Sequence, residues 1–208
     1  MWGIRWKGRI KLEFAKNVER KHNMKNMQET YRAKAIPALQ KKFGYKSIMA
    51  APIIEKGGLN SGFGKMASGK SNADAQKMGE SIAMDMALIA GQKPVLTKAR
   101  KSIATFKLRQ GAPVGVKVTL RGQKMYDFLD RLIHVMFPRS RDFQGLKTSF
   151  IDENGNLSIG IKEHLFFPEI SPEKSKISFS LEVTITTSAK TKEEGLELFL
   201  QLGFPFII

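Results

Sequence analysis

Basic side chains are concentrated in one stretch of this 208-residue chain, between Gly91 and Lys124. They are Lys93, Lys98, Arg100, Lys101, Lys107, Arg109, Lys117, Arg121 and Lys124. No Asp or Glu occurs between Asp85 and Asp127, so neighbouring carboxylates do not cancel the positive field. Because ammonium and guanidinium groups bind phosphate, the stretch predicts contact with a polyanion.

Apolar and polar residues alternate within this stretch, and the alternation predicts two β-strands. Over residues 114–121 the period is that of a half-buried strand, which places Lys117, Thr119 and Arg121 on the polar face. Residues 103–109 alternate in the same way, and residues 110–113 suit a turn. We therefore predict a basic β-hairpin with a mobile cationic tip at residues 100–115, which can follow a phosphate backbone without reading bases.

A second phosphate-binding pattern runs from Gly64 to Ser71, GKMASGKS, and matches the P-loop motif. It lies between a possible strand and a helix, so its backbone amides could hold phosphate. Two observations weigh against a nucleotide-hydrolysing enzyme. The preceding segment, PIIEKGGL, is not the continuous apolar run of a buried parallel strand, and no later apolar run ends in an Asp suited to magnesium. The alternative is a flexible basic loop.

The formal net charge of +16 and the isoelectric point of about 10.1 indicate nucleic acid or an anionic membrane surface as the partner. The sequence has no apolar run of membrane-spanning length. A membrane surface is disfavoured because the basic residues lie on predicted strands. DNA is disfavoured because no predicted helix is both basic and exposed.

The sequence predicts no catalytic residue, metal or cofactor. There are no cysteines, which excludes disulfides and thiolate ligands, and the three histidines are scattered. We find no nucleophile elbow and no carboxylate pair in an apolar setting. RNA binding, which needs no turnover, fits the Lys, Arg, Gly and Thr content of the strands.

Hydrophobic periodicity predicts helices over residues 28–43, 72–90, 125–136 and 191–202. Pro37 lies inside the first and predicts a kink. Met78, Met84 and Met86 on the second are expected in the core. On the third, Asp127 and Asp130 are expected to form solvated ion pairs with Lys124 or Arg131.

Extended segments are expected at residues 48–59, 157–161 and 177–186. The fold class is therefore α+β, with a mainly antiparallel β-sheet packed against helices on one face. We expect a single domain over residues 27–208, preceded by a basic N-terminal extension at residues 1–26. That extension is expected to be disordered or to reflect an upstream start, with an RNA-contacting tail or a targeting segment as alternatives.

Four blocks of sequence resemble the ribosomal protein L5 family of bacterial-type large ribosomal subunits. They are QKPVLTKARKSIATFKLRQGAPVGVKVTLRG, MYDFLDRLIHVMFPRSRDFQGL, GNLSIGIKEHLFFPEI and EVTITTSAKTKEEGLELFLQLGFPF. They occur in order and extend the resemblance over about residues 27–206. The departure is at Lys56, Gly57 and Gly58, where the family usually has an apolar strand; the two glycines predict a weakened strand or a bulge.

The resemblance implies three RNA or protein contacts on a ribosome that is cytoplasmic and bacterial-type, or organellar. It implies binding of 5S ribosomal RNA in the central protuberance of the large subunit through Asn60, Gln92, Thr97, Thr119 and Arg121, to which strand parity adds Lys117, and large-subunit RNA as a further partner. It implies contact with peptidyl-site tRNA through the hairpin tip: Arg100, Lys101, Lys107, Arg109, Gln110 and Gly111. It also implies a bridge to a small-subunit head protein through the loop from Pro138 to Leu146, with Arg139, Arg141 and Phe143. Anchoring of the tip in ribosomal RNA and a merely solvated loop are the alternatives.

Overall fold

The computed structural model describes residues 27–141, 143–173, 175 and 177–207. The expectations for residues 1–26 lie outside the described residues. The helices are α1 (residues 27–43), α2 (Asn72–Ala90), α3 (residues 122–139) and α4 (Lys192–Leu202). The strands are β1 (Ile54–Gly62), β2 (Val95–Lys98), β3 (Pro113–Leu120), β4 (Leu146–Lys147), β5 (Leu157–Ile161), β6 (Leu181–Thr187) and β7 (Phe206–Ile207).

The main sheet has five antiparallel strands in the order β2-β3-β1-β6-β5. Helices α2 and α3 pack on one face of this sheet, and α1 packs against α3 and α4. The buried apolar residues of these elements form one continuous core. The predicted α+β class, with helices on one face of an antiparallel sheet, is confirmed.

Helix α1 contains the irregularity that Pro37 predicted. A π-helical turn, Tyr31–Ala35, separates the α-helical segments Met27–Thr30 and Ile36–Phe43, and the Ile36 N–H bonds to the Tyr31 carbonyl. The wider turn accommodates a proline that can neither donate a hydrogen bond nor fit a regular helix interior. The helix ends at Gly44, whose φ of 69° is the left-handed conformation that glycine adopts readily.

β1 lies in the centre of the sheet, so the Gly57-Gly58 departure does not abolish the strand. It pairs with β3 from Gly57 to Gly62, and with β6 through a register shift between Ile54 and Lys56. The predicted bulge is thus present next to the glycines. The residues before it differ from the prediction, because the strand begins at Ile54 and a 3₁₀ turn occupies Ile48–Ala50.

Helix α2 has the boundaries that its sequence predicts. The Ser71 hydroxyl accepts a hydrogen bond from the Asp74 N–H, and Gly91 ends the helix with a φ of 63°. Met86 is buried and Met78 is half-buried, as expected of core residues. The prediction for Met84 is wrong, because its side chain is 70% exposed on the opposite side of the helix.

The predicted first strand of the hairpin is wrong. Residues 104–106 form a 3₁₀ turn, and Lys107 has a φ of 49°, which breaks an extended strand. The strand that pairs with β3 is instead β2, earlier in the chain. Residues 99–112, which connect β2 to β3, form a separate projection that we call the finger.

Helix α3 is the amphipathic helix that the sequence predicts, lengthened by a π-helical turn at Leu132–Met136. The predicted partners of its acids are wrong. Asp127 accepts a hydrogen bond from Gln123, and Asp130 faces His134 at 3.4 Å. Arg131 pairs with Glu169, from a distant loop, and also donates to the Ile89 carbonyl.

The C-terminal third completes the sheet and adds a small second one. β5 is as predicted, whereas the predicted strand at 177–186 begins only at Leu181, because Phe179 leaves the sheet to stack on the His164 ring at 3.9 Å. A two-stranded parallel pair, β4 with β7, was not predicted. Helix α4 begins after Thr191, whose hydroxyl accepts from the Glu194 N–H, and ends at Gly203.

Helix α4 is attached to the sheet through a contact between two glycines. A Cβ placed on Gly195 would lie 2.5 Å from the Cα and carbonyl oxygen of Gly155. Gly155 has a φ of 75°, and its carbonyl accepts a hydrogen bond from the Thr187 hydroxyl. The backbone of this turn is therefore held in place and cannot move aside for a side chain.

We predict that Gly195→Ala lowers the free energy of unfolding by about 1 to 3 kcal/mol, the usual cost of forcing a carbon into a packed contact. Denaturant unfolding followed by circular dichroism measures the change. Gly160→Ala is the matched control: no atom lies within 4 Å of its Cβ position, and surface substitutions of this kind change stability by less than about 0.5 kcal/mol. Equal stabilities of the two variants would contradict the prediction.

Candidate nucleic-acid interface

On one face of the five-stranded sheet no helix of the described residues packs, and we call it the open face. Strand side chains alternate, so the buried residues of β3 (Val116, Val118 and Leu120) leave Lys117 and Thr119 exposed. The register continues this alternation across the sheet. The outward residues of the other strands are Val95, Thr97, Lys56, Gly58, Asn60, Gly62, Glu182, Thr184, Thr186, Ser158 and Gly160. Apart from the exposed Val95, the side chains of the open face are polar or absent, and most of them are small.

Four of the predicted 5S-RNA-binding residues are brought together on the open face. Asn60 is directly opposite Lys117 in the β1–β3 pairing, and Thr119 is opposite Gly58. Thr97 is opposite Gly115, and its hydroxyl would lie 2.8 Å from a Cβ at that position. An ammonium, an amide and two hydroxyls therefore occupy three adjacent strands.

Arg121 and Gln92 lie at the border of the open face. Arg121 follows β3 directly, in extended conformation and exposed, and precedes the first turn of α3. The Gln92 Nε2 donates to the Thr119 carbonyl at 3.1 Å. β2 pairs with β3 only as far as Lys117, so Gln92 bonds a strand carbonyl beyond the end of β2. The amide nitrogen of Gln92 therefore has a structural role, and its half-buried side chain is fixed beside Thr119.

Sequence reasoning missed the glycines of the open face. Gly58 and Gly62 lie outward on the central strand, where the absence of a side chain lets another molecule approach the backbone closely. The available signal was the Lys56-Gly57-Gly58 departure, which was interpreted as a weakened strand or a bulge and not as an opening for a ligand. Glu182 was also missed. It accepts a hydrogen bond from Asn60 at 3.3 Å and places a negative charge at the β6 side of the face.

The finger is ordered by hydrogen bonds along its whole length. Ala99 pairs with the chain at Ala112 through an N–H···O bond of 2.8 Å, and the Gln110 N–H donates to the Ser102 hydroxyl at 2.9 Å. Nearer the tip, Ile103 and Leu108 exchange two backbone bonds. The predicted cationic tip is therefore a hydrogen-bonded extension of the β2 and β3 strand pair.

All six residues predicted to contact tRNA lie exposed on the finger: Arg100, Lys101, Lys107, Arg109, Gln110 and Gly111. None of its four cations forms a salt bridge with a described residue. Gly111, with a φ of 83°, and its N–H bond to the Ala99 carbonyl reverse the chain. The cations remain available for an external anion.

The segment from Gly64 to Ser71 does not form a phosphate cradle. Gly64–Ala67 is a short helical turn, and the N–H groups of Met66, Ala67, Ser68 and Lys70 bond to carbonyls within residues 63–67. Ser71 uses its hydroxyl to cap α2 and bond to Asp74. The strand before the segment is antiparallel to both neighbours. The P-loop interpretation therefore lacks the parallel strand that it requires, and four of the segment's N–H groups are already used in local bonds.

The loop predicted to bridge the subunits is only partly available. Arg139 and Arg141 are exposed, but Phe143 is half-buried, with its ring stacked on Phe137 at 4.5 Å. The aromatic side chain therefore fixes the loop against α3. A partner can contact the two arginines without displacing it.

A serine, a histidine and an aspartate meet away from these surfaces but do not form a catalytic triad. The buried His164 ring lies 2.9 Å from the Ser175 hydroxyl, which itself donates to Asp85. Burial lowers the pKa of His164, which favours the neutral ring. In a hydrolase the histidine lies between the other two groups. Here the serine does, so its proton is committed to a carboxylate and the trio joins a loop to α2.

Among the residues that the structure describes, no group of three or more His, Cys, Asp or Glu side chains is arranged to hold a metal ion. In the same part of the chain, no helix has both the length and the apolar character needed to cross a bilayer.

Comparisons with known proteins agree with the resemblance. The family model described as "Ribosomal protein L5" matches residues 47–109, and the model described as the C-terminus of the same ribosomal family matches residues 113–206. The large ribosomal subunit protein uL5 of Paraburkholderia phymatum is 49% identical over 183 residues, 88% of this chain and 99% of the relative. The uL5 protein of Alkaliphilus oremlandii is 45% identical over 88% of this chain and 99% of its own length. That of Clostridium tetani is 49% identical over 86% of this chain and 97% of its own length. The chain belongs to the ribosomal protein L5 family.

Proposed function

We propose that this protein is a structural component of the large ribosomal subunit that binds 5S ribosomal RNA through the open face. The bacterial relatives are large-subunit proteins, so the location is a cytoplasmic ribosome and the partner is ribosomal RNA. A protein of this kind is not an enzyme. The observation that carries the finer assignment is the juxtaposition of Asn60, Lys117 and Thr119 on a face that no described helix covers.

The chemistry of the open face suits the shallow groove and the sugars of RNA. Lys117 and Arg121 supply charge for phosphates, whereas Asn60, Thr97 and Thr119 supply donors and acceptors for 2′-hydroxyls and base edges. Gly58 and Gly62 let the RNA backbone come near the sheet. Glu182 repels phosphate, so we expect the RNA to lie over the β2, β3 and β1 side.

We further propose that the finger contacts the tRNA in the peptidyl site. The finger carries four cations that form no salt bridge with a described residue. They lie outside the five-stranded sheet on a hydrogen-bonded segment, so they are additional to the charges with which the open face binds 5S RNA. Such groups follow a phosphate backbone without sequence preference. Anchoring of the finger in ribosomal RNA is the competing outcome.

The third contact is a bridge to a protein of the small-subunit head, made by Arg139 and Arg141. Arg139 is the last residue of α3 and Arg141 follows two residues later, so the core packing of α3 makes their base rigid. The stacking of Phe143 on Phe137 supports a positioning function for the aromatic ring, so the two arginines carry the contact.

For the open face, we predict that Arg121→Ala weakens 5S RNA binding by about 1 to 3 kcal/mol, the range for a good base contact. Gly58→Val should also weaken it, although the strand has room for the added Cβ, whose nearest neighbour would be 3.7 Å away. Lys41→Ala removes an exposed charge on α1 and is the control. Affinities are measured by filter binding at physiological salt, with an unrelated structured RNA as competitor. Equal affinity for both RNAs would contradict specific recognition.

For the finger, we predict that the double change Lys107→Ala and Arg109→Ala loosens peptidyl-site tRNA in a salt-dependent way while ribosome assembly continues. Removing two phosphate contacts should reduce the slope of log K against log salt by about two. The measurement is tRNA dissociation from assembled ribosomes, together with crosslinking from position 110. Crosslinks to ribosomal RNA alone would contradict tRNA contact.

For the bridge, we predict that replacing Arg139 and Arg141 together with Ala slows subunit association and lowers its salt dependence, because charges at the edge of an interface act mainly on the encounter rate. Light scattering after mixing subunits measures the rate. 5S RNA binding should be unchanged. Loss of both activities would indicate misfolding and would remove support for the bridge.

A further inference from the structure

The tip of the finger presents an aromatic ring to solvent. Phe106 is 66% exposed, the most open phenylalanine among the described residues. Ile103 and Met66, at 42% and 38% exposure, are the other exposed apolar side chains of the finger and the short turn beside it. Leaving a large apolar ring in water forfeits its burial, so the exposure indicates a partner surface for the ring.

The backbone that carries this ring is fixed on both sides. Lys107 adopts the left-handed conformation with a φ of 49°, the single non-glycine residue with positive φ among those described, and its N–H bonds to the Ala104 carbonyl. The Ser68 hydroxyl donates to the Phe106 carbonyl at 3.1 Å and ties the tip to the neighbouring segment. The ring is therefore presented from a preorganised turn, which lowers the entropy lost when a partner binds.

The surroundings of the ring are cationic. Lys101, Lys107 and Arg109 share the finger, and Lys65 lies on the adjacent turn. The sequence has no acid from residue 86 to residue 126, so no carboxylate of the finger or of its flanking strands neutralises this field. An apolar protein surface would gain nothing from these charges. A nucleobase whose own backbone carries phosphates matches both the ring and its cations.

We propose that Phe106 stacks on an exposed nucleobase of the peptidyl-site tRNA while the neighbouring cations contact its phosphates. The inference rests on the proposed contact between finger and tRNA and adds a defined, uncharged element to it. Stacking accepts any base, so the contact adds affinity without restricting which tRNA binds. Ser68 then acts as a positioning residue, because its hydroxyl holds the carbonyl of the residue that stacks.

The test compares Phe106→Leu, Phe106→Trp and the Lys107 and Arg109 double variant in assembled ribosomes. Phe106→Leu keeps an apolar side chain but removes the aromatic face, and we expect tRNA affinity to fall about fivefold or more. The fall should be the same at low and high salt, since stacking releases no counterions. Phe106→Trp should retain wild-type affinity. Chemical probing should show one tRNA base that becomes reactive in ribosomes with Phe106→Leu and stays protected in ribosomes with Phe106→Trp.

The outcomes separate this inference from the proposed function. If the charge variant weakens tRNA binding but Phe106→Leu does not, the stacking is refuted and the tRNA contact stands. If neither variant changes tRNA binding, both proposals are overturned. If Phe106→Leu weakens binding only at low salt, the ring acts by placing the cations, and stacking is refuted. Unfolding curves of the free variants should match the wild type, because Phe106 packs into no part of the core.

Discussion

The antiparallel pairing of β1 with both of its neighbours is the constraint on which the other surfaces depend. β1 joins β3 on one side and β6 on the other, so every row of residues across the open face passes through it. Leu59 is buried, and the pleat therefore turns Gly58 and Asn60 outward. A slip of one residue would bury Asn60 and expose Leu59, which the core does not tolerate. The same burial that stabilises the sheet thus aligns Asn60 with Lys117.

The sequence predicted this face where a local pattern was sufficient and failed where a distant pairing decided. The alternation over 114–121 gave the correct outward set on β3, because a single strand period determines it. The alternation over 103–109 was misleading. The turn at Lys107 requires positive φ, for which a lysine gives no signal, and the actual partner β2 is only four residues long. The finger was therefore placed correctly in the chain, but its internal structure was not.

Polar contacts show the same limit. Helix capping was predictable because it depends on residues adjacent in the chain. Ser71 and Gly91 cap α2, and Thr191 and Gly203 cap α4. Arg131 instead selects Glu169 and the Ile89 carbonyl, neither of which its spacing within α3 indicates. The parallel pair of β4 with β7 joins segments about sixty residues apart in the sequence, and two-residue strands have no detectable period.

The open face and the finger differ in side-chain length, and this difference suits them to the two different RNA contacts that we propose. On the open face, Thr97, Asn60 and Thr119 are short and borne by paired strands, so their polar atoms have little freedom and can match sugar and base edges. The finger carries long cations, which tolerate a phosphate at several positions. Seven of the backbone N–H groups of the finger donate to bonds within it, so its exposed cations are the main groups left for an outside partner. The proposed sequence-independent contact with tRNA and the proposed specific contact with 5S RNA therefore fall on different surfaces. β3 borders both surfaces and fixes their relative placement.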